Sequence, residues 1–284
     1  MPNFPIVDTH VHLWDPAQLR YPWLADSELL NTPHLPEDFR KACGPVTVER
    51  IVFVQCECAA EQCVEEATWV SSLSRQDARI QGIVAQASLE SGDAIRPTLQ
   101  ALATNPQVKG VRRLIQSESV DFCLQPDFIR GVQLLPEYGL SFDICIYHSH
   151  LANILEFVRQ CPSVSFILDH IGKPNIKERT VEPWKTELKA LAAFPNVTVK
   201  MSGLITEADL ERWKKEDLKP YIDHVIDCFG VERVVYGGDW PVSRLAGDYP
   251  DWVEALDWAI QDLPDVDKRK LYRDNAIAFY RLDG

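Results

Sequence analysis

Short runs rich in β-branched and aromatic residues recur along the chain, each followed by polar turn residues and then by a longer stretch whose apolar residues return at helical spacing. Eight such runs read as strands: FPIVDTHVH (4–12), RIVFVQCE (50–57), IQGIVAQASL (80–89), VKGVRRLIQ (108–116), LSFDICIYH (140–148), VSFILDHIG (164–172), NVTVKMSGL (196–204) and RVVYGGDWP (233–241). Between them, AEQCVEEATWVSSLSRQ, DAIRPTLQALATN, PDFIRGVQLLPEYG, LANILEFVRQC, VEPWKTELKALAAF and KPYIDHVIDCFG carry the helical spacing. Several of these end on Gly, Asn or Pro, as helix stops do. Strands that alternate with helices pair in parallel, because each return crossover needs roughly a dozen residues or more.

Eight such units in 284 residues predict an α/β fold, a single-domain (β/α)8 TIM barrel over residues 1–284. A doubly wound open sheet is the competing architecture, but no G-x-G-x-x-G or Walker-type loop follows any strand. No low-complexity tract, long Gly/Ser linker or charge block divides the chain.

Composition narrows the function more than the fold. The hydrophobic fraction of 46% with 25% charged residues is that of a globular protein able to bury a sizeable core. A formal net charge of −13 argues against a partner made of nucleic acid or an anionic membrane, both of which call for clustered Lys and Arg. The expected partner is a small molecule, and a homo-oligomer is compatible with everything in the sequence. The N-terminal MPNFPIVDTH lacks a basic segment followed by a long apolar run, and no stretch approaches the ~20 apolar residues of a membrane span, so a cytoplasmic protein is expected. Eight cysteines include a CEC cluster at 56–58 with Cys63 nearby, but the others are scattered singly. They read as reduced, buried thiols rather than a metal site.

In such a barrel the active site lies at the C-terminal ends of the strands. There the sequence collects His10 and His12, Gln55 and Glu57, Arg112, Arg113 and Gln116, His148 and His150, Asp169 and His170, Lys200 and Ser202, and Asp239. Five of the seven histidines fall at these ends, and only His34 and His224 lie elsewhere. The two-residue period of a strand puts His10 and His12 on one face, so that both imidazoles reach one point above the barrel. With a carboxylate from a facing strand they would suit Zn²⁺ or a similar ion. The bland alternatives are real: a bare His-x-His is common, Gly-Gly-Asp is also turn chemistry, and HIGKP reads as a strand end followed by a turn. Arg112 and Arg113 point to opposite sides, so at most one faces the barrel interior.

VDTHVHLWDP, YPWL, KGVRRLIQ, LDHIGKP, KMSGL and YGGDWPV, in this order and spacing, resemble the amidohydrolase superfamily. They are most similar to its amidohydrolase-2 branch of sugar-lactone and dicarboxylate lactone hydrolases. The resemblance implies that His10 and His12 are the strand-one pair, His170 the strand-six histidine and Asp239 the strand-eight aspartate. His10, His12 and Asp239 would be the metal ligands, and Asp239, His170, His10 and His12 the catalytic group. Arg112 matches the arginine of the family's G-[VI]-R pattern, while Arg113 stands where relatives often carry His. Arg112, His150, Trp14 and Trp240 are the candidates for binding substrate. Binuclear members carry a carboxylated lysine on strand four. Here the only lysine of that run, Lys109, comes too early on the strand, which leaves one divalent ion, Zn²⁺ in the first place, or none.

The implied activity is opening of a lactone ring: Asp239 takes a proton from water and the hydroxide attacks the carbonyl. The developing oxyanion is stabilised by a metal or by the imidazoles. Non-oxidative decarboxylation of a small carboxylic acid is the alternative within the superfamily. Metabolite binding without catalysis is a third reading, weakened by the number of titratable groups at the strand ends.

Overall fold

The computed structural model describes residues 1–282. All eight expected strands form: β1 (Ile6–Val11), β2 (Val48–Val54), β3 (Ile80–Gln86), β4 (Val108–Arg112), β5 (Ser141–Ile144), β6 (Phe166–Leu168), β7 (Val197–Met201) and β8 (Val234–Tyr236). They pair in parallel in sequence order, β1 to β8. The ring closes just past β8, where the Asp239 N–H donates to the His10 carbonyl and the His12 N–H to the Trp240 carbonyl, each at 2.8 Å. The helices are α1 (Pro36–Ala42), α2 (Cys63–Leu73), α3 (Arg96–Ala103), α4 (Pro126–Gln133), α5 (Leu151–Gln160), α6 (Trp184–Ala192), α7 (Leu204–Glu207), α8 (Lys215–Phe229), α9 (Tyr249–Ala259), α10 (Asp265–Arg269) and α11 (Asn275–Tyr280). The result is a TIM barrel, and none of these helices is long and apolar enough to cross a membrane.

Two apolar layers hold it. Outward-facing strand residues such as Phe53, Val111, Phe142 and Phe166 pack under the helices. Inside the barrel, Val7, Val52, Val54, Val84, Ile167 and Val235 form a separate cluster, which the C-terminal Ala276, Tyr280 and Leu282 close from the end opposite the strand C termini. The Tyr280 ring lies in this apolar layer while its hydroxyl reaches up to Asp143 Oδ2 at 2.9 Å. The tyrosine thus marks the boundary between an apolar half of the interior and a charged half above it.

The strands end earlier than the apolar patterning suggests. Residues expected to continue them leave extended geometry instead: Glu57, His170, Ile171, Lys173 and Asp239 all have positive φ, between 46° and 55°. Such conformations disfavour residues with a Cβ and cluster where a site dictates the backbone. Among the described residues, five of the seven non-glycine residues with positive φ sit on this one rim.

Candidate active site

The strand-one histidines owe their direction to an irregularity. Val7 faces the barrel interior, and strict alternation would turn Thr9 and Val11 inward. The pairing of β1 with β2 slips between Asp8 and Val11, and this change of parity lets His10 and His12 face inward instead. The His12 Nδ1 lies 2.8 Å from the Val54 carbonyl. A carbonyl only accepts, so Nδ1 carries the proton and Nε2 presents its other face to Asp239 Oδ1 at 3.4 Å.

Asp239 is held by the turn that precedes it. Asp8 is fully buried and receives the N–H of His10 at 2.9 Å and of Gly238 at 2.8 Å on one oxygen, and the Tyr249 hydroxyl at 2.8 Å on the other. It ties β1 to the β8 turn through both backbones, while burial pushes its carboxyl up to about 7. The two glycines are needed for space: a Cβ on Gly237 would meet His10 Cβ at 2.8 Å, and one on Gly238 would collide with Asp8 and the Tyr249 ring. Burial opposes charge on Asp239, but the nearby His170 and His12 act the other way, and its pKa lies below the usual aspartate value.

After β6 the chain makes a left-handed turn, with φ of 54°, 50°, 76° and 46° at His170, Ile171, Gly172 and Lys173. Ser202, from the end of β7, lies 2.9 Å from His170 Nδ1 and fixes the ring. Burial lowers the pKa of both His170 and His10 well below the usual histidine value.

Beneath these groups lies a buried charged layer drawn from five strands. Lys200 Nζ contacts Asp143 at 2.6 Å and Asp169 at 2.9 Å, and all three side chains are inaccessible. Arg112 Nη1 reaches Asp169 at 3.2 Å and Nη2 donates to the Gln55 carbonyl at 2.7 Å. His10 sits between them, with Lys200 Nζ 3.4 Å from its Nδ1 and Arg112 Nη1 3.4 Å from its Nε2. Despite burial, Lys200 keeps a raised pKa because two carboxylates face it, and Asp169 is held well below the usual range by Lys200 and His10. Burial raises Asp143 to about 6.

Above this layer opens a cavity of about 340 Å³, lined among others by His12, His170, Asp239, Arg112 and Trp14. His10 lies under its floor, fully buried. The donor atoms of His10, His170 and Asp239 lie within 4.8 Å of one another. This trio differs from the expected one, in which His12 stood in place of His170. His12 approaches Asp239 from the other side, with its proton-bearing nitrogen committed to β2.

Trp14 lines the cavity with its indole N–H tied to the carbonyls of Leu30 and Thr32. Trp240 does not line it: its ring turns away and packs on His34 and Phe39. His150 also lies outside the lining, its two ring nitrogens 3.1 and 3.3 Å from the carbonyls of Tyr147 and Glu118. Neither is placed to touch a bound molecule. Arg113 points outward to Glu90 and Glu118, as the alternation of the strand requires.

Lining residues that sequence reasoning did not assign are Trp23, Cys56, Gln116, Cys145 and Lys173; beneath them Asp143 was missed, and Lys200 was placed at its strand end without a role. For the last two a signal existed: a lone charge in VTVKM and in SFDI interrupts an apolar run at inward parity. For Lys173 no pattern could have shown it, because the turn that aims it is left-handed.

A family model for amidohydrolases matches residues 7–282. An L-fucono-1,5-lactonase of Burkholderia ambifaria is 30% identical over 98% of this chain and 96% of the relative. A 2-pyrone-4,6-dicarboxylate hydrolase of Comamonas testosteroni is 25% identical over 61% of this chain and 59% of the relative. Among solved structures, an amidohydrolase of Burkholderia multivorans with bound zinc superposes with a TM-score of 0.89, at 26% identity, over 99% of this chain and all of that one.

Proposed function

Because the chain belongs to the amidohydrolase family, we propose that it hydrolyses a small neutral lactone, adding water to the ring ester at the C-terminal mouth of its barrel. The observation that carries this reading is Asp239, a carboxylate buried in the cavity wall with His12 Nε2 at 3.4 Å and His10 Nε2 at 3.7 Å from its Oδ1. It takes a proton from water, and the hydroxide formed attacks the lactone carbonyl. Charge developing on the carbonyl oxygen is met by His170, whose Nδ1 accepts from the Ser202 hydroxyl so that its Nε2–H is held ready to donate.

The charge balance of the cavity supports a neutral, hydroxylated ring over a dicarboxylate. Arg112 has most of its N–H groups committed to Asp169, His10 and Gln55. Lys173 faces Gln116 at 2.7 Å and Glu207 at 3.8 Å. Two carboxylates, Asp239 and Glu57, line the same space. Trp14 and Trp23, in edge contact at 5.4 Å between ring centres, offer an apolar wall for a ring face.

The donors of His10, His170 and Asp239, two imidazole nitrogens and a carboxylate oxygen in mutual reach, fit a zinc-type ion. His12 Nε2 facing the Asp239 oxygen at 3.4 Å adds to the fit, since two electron-rich atoms so placed favour a proton or a cation between them. A bound ion would act as a Lewis acid on the carbonyl.

The test is a panel of aldonolactones and dicarboxylate lactones assayed with a pH indicator on purified protein. Acid release from neutral aldonolactones is expected. Release of carbon dioxide from a small carboxylic acid, with no lactone opened, would instead assign the barrel to decarboxylation.

A further inference from the structure

We propose that Lys173 is the general acid of the reaction, giving a proton to the ring oxygen as the lactone opens. This rests on the lactonase reading and adds a second catalytic group opposite Asp239. Three observations place it there. Lys173 lines the same cavity wall as His170 and Asp239. The turn that brings it there is left-handed at four consecutive residues, three of which carry a Cβ, at a cost of roughly 1–2 kcal/mol for each such residue.

The ammonium itself is the third observation. Its Nζ donates to Gln116 Oε1 at 2.7 Å, lies 3.8 Å from Glu207 Oε1 and stands 5.4 Å from the centre of the Tyr147 ring. An ammonium has three donors. One is given to Gln116, while Glu207 at 3.8 Å attracts the charge without accepting a hydrogen bond, which leaves donors for a ligand in the cavity. The side chain is only 16% exposed, yet the nearby carboxylates of Glu207 and Asp239 work against burial and its pKa is raised rather than lowered.

The chemistry supplies the need. The leaving group of an aldonolactone is an aliphatic alkoxide, which departs slowly unless protonated as the bond breaks. The acyl carbon to ring oxygen bond breaks, its electron pair goes to the ring oxygen, and an Nζ proton follows it. The neutral amine regains a proton from the Asp239 carboxyl through solvent, and the product acid ionises. Lactone and water thus become hydroxy-carboxylate and one released proton, with both side chains restored.

The experiment measures kcat and KM of Lys173→Ala and Lys173→Arg on an aldonolactone that the wild-type protein opens, with and without added alkylammonium. The alanine variant should lose about 10²-fold in kcat, and ethylammonium should restore about tenfold of it while tetramethylammonium, a cation without a proton, restores none. The arginine variant keeps the charge but holds its proton too tightly, so its kcat should stay low, and it carries the test should the alanine variant not fold. Unchanged kcat, a loss confined to KM, equal rescue by tetramethylammonium, or full activity with arginine would overturn the assignment while leaving the lactonase reading in place. A wild-type protein that opens no lactone would instead overturn that reading and this one with it.

Discussion

The two halves of the barrel interior are built on opposite rules. In the half nearer the strand N termini, valines and Ile167 from β1, β2, β3, β6 and β8 meet Tyr280 and Leu282 in a dry cluster in which shape and volume are what count. In the half nearer the strand C termini, Arg112, Asp143, Asp169, Lys200 and His10 lie just as deeply buried, where an unmatched charge costs several kcal/mol. The first half stabilises the barrel whatever the barrel does. The second is tolerable only because each charge has a partner, and its upper surface is where the backbone departs from allowed strand geometry. The contrast teaches that the site is not an addition to a finished fold: the charged layer is both the barrel's upper core and the foundation on which His10 and Asp239 stand.

Substitutions should separate the halves. The largest effect is expected for Asp239→Asn, which keeps size and hydrogen bonding but removes the base: lactone kcat should fall by about 10²–10⁴-fold with an unchanged melting temperature. Near-normal turnover would remove Asp239 from the mechanism. Lys200→Met should cost about 3–5 kcal/mol in denaturant unfolding, because Asp143 and Asp169 lose their shared cation, and turnover should fall as well. A variant that unfolds early but turns over normally would disconnect the charged layer from catalysis.

A smaller effect is expected at Glu66, a carboxyl buried in α2 that receives the Cys56 N–H at 3.2 Å. Burial raises its pKa from 4.5 to about 8. A folded pKa above the unfolded one means stability that is fully present below 4.5 and is lost as pH rises through about 8. Glu66→Gln should therefore flatten the stability profile over that interval, as thermal melts across the pH range would record. An unaltered profile would show that Glu66 does not titrate with folding. Least of all, Ile167→Val in the apolar half should cost about 0.5–1.5 kcal/mol and leave kcat unchanged. A drop in kcat there would blur the division between the halves.

The same division explains what was legible in the sequence. The apolar half follows the two-residue period of its strands, so the eight strands and the barrel can be read from runs such as RIVFV and VSFIL. Strand C termini could be located, and with them His10, His12, Arg112, His170 and Asp239, which all converge on one cavity floor and wall. Directions beyond the strands could not. Trp240 adjoins Asp239 in sequence but turns to the opposite side, because the residue before it has positive φ. His150 ends the YHSH run, yet the chain has already entered a helical turn at His148–His150 that aims the ring at backbone carbonyls. Lys173 was taken for turn chemistry for the same reason: alternation stops carrying information once the backbone leaves the strand. The Lys200–Asp143–Asp169 cluster shows a different limit, since alternation marks each residue as inward but cannot say which of five strands supplies its partner.

Ring opening carried out in ¹⁸O-labelled water tests the central claim most directly. If water activated by Asp239 attacks the lactone carbonyl, the label enters the product carboxylate and the former ring oxygen, now a hydroxyl, stays unlabelled. Label found on the hydroxyl carbon, or product formed with no label in the carboxylate, would contradict that account.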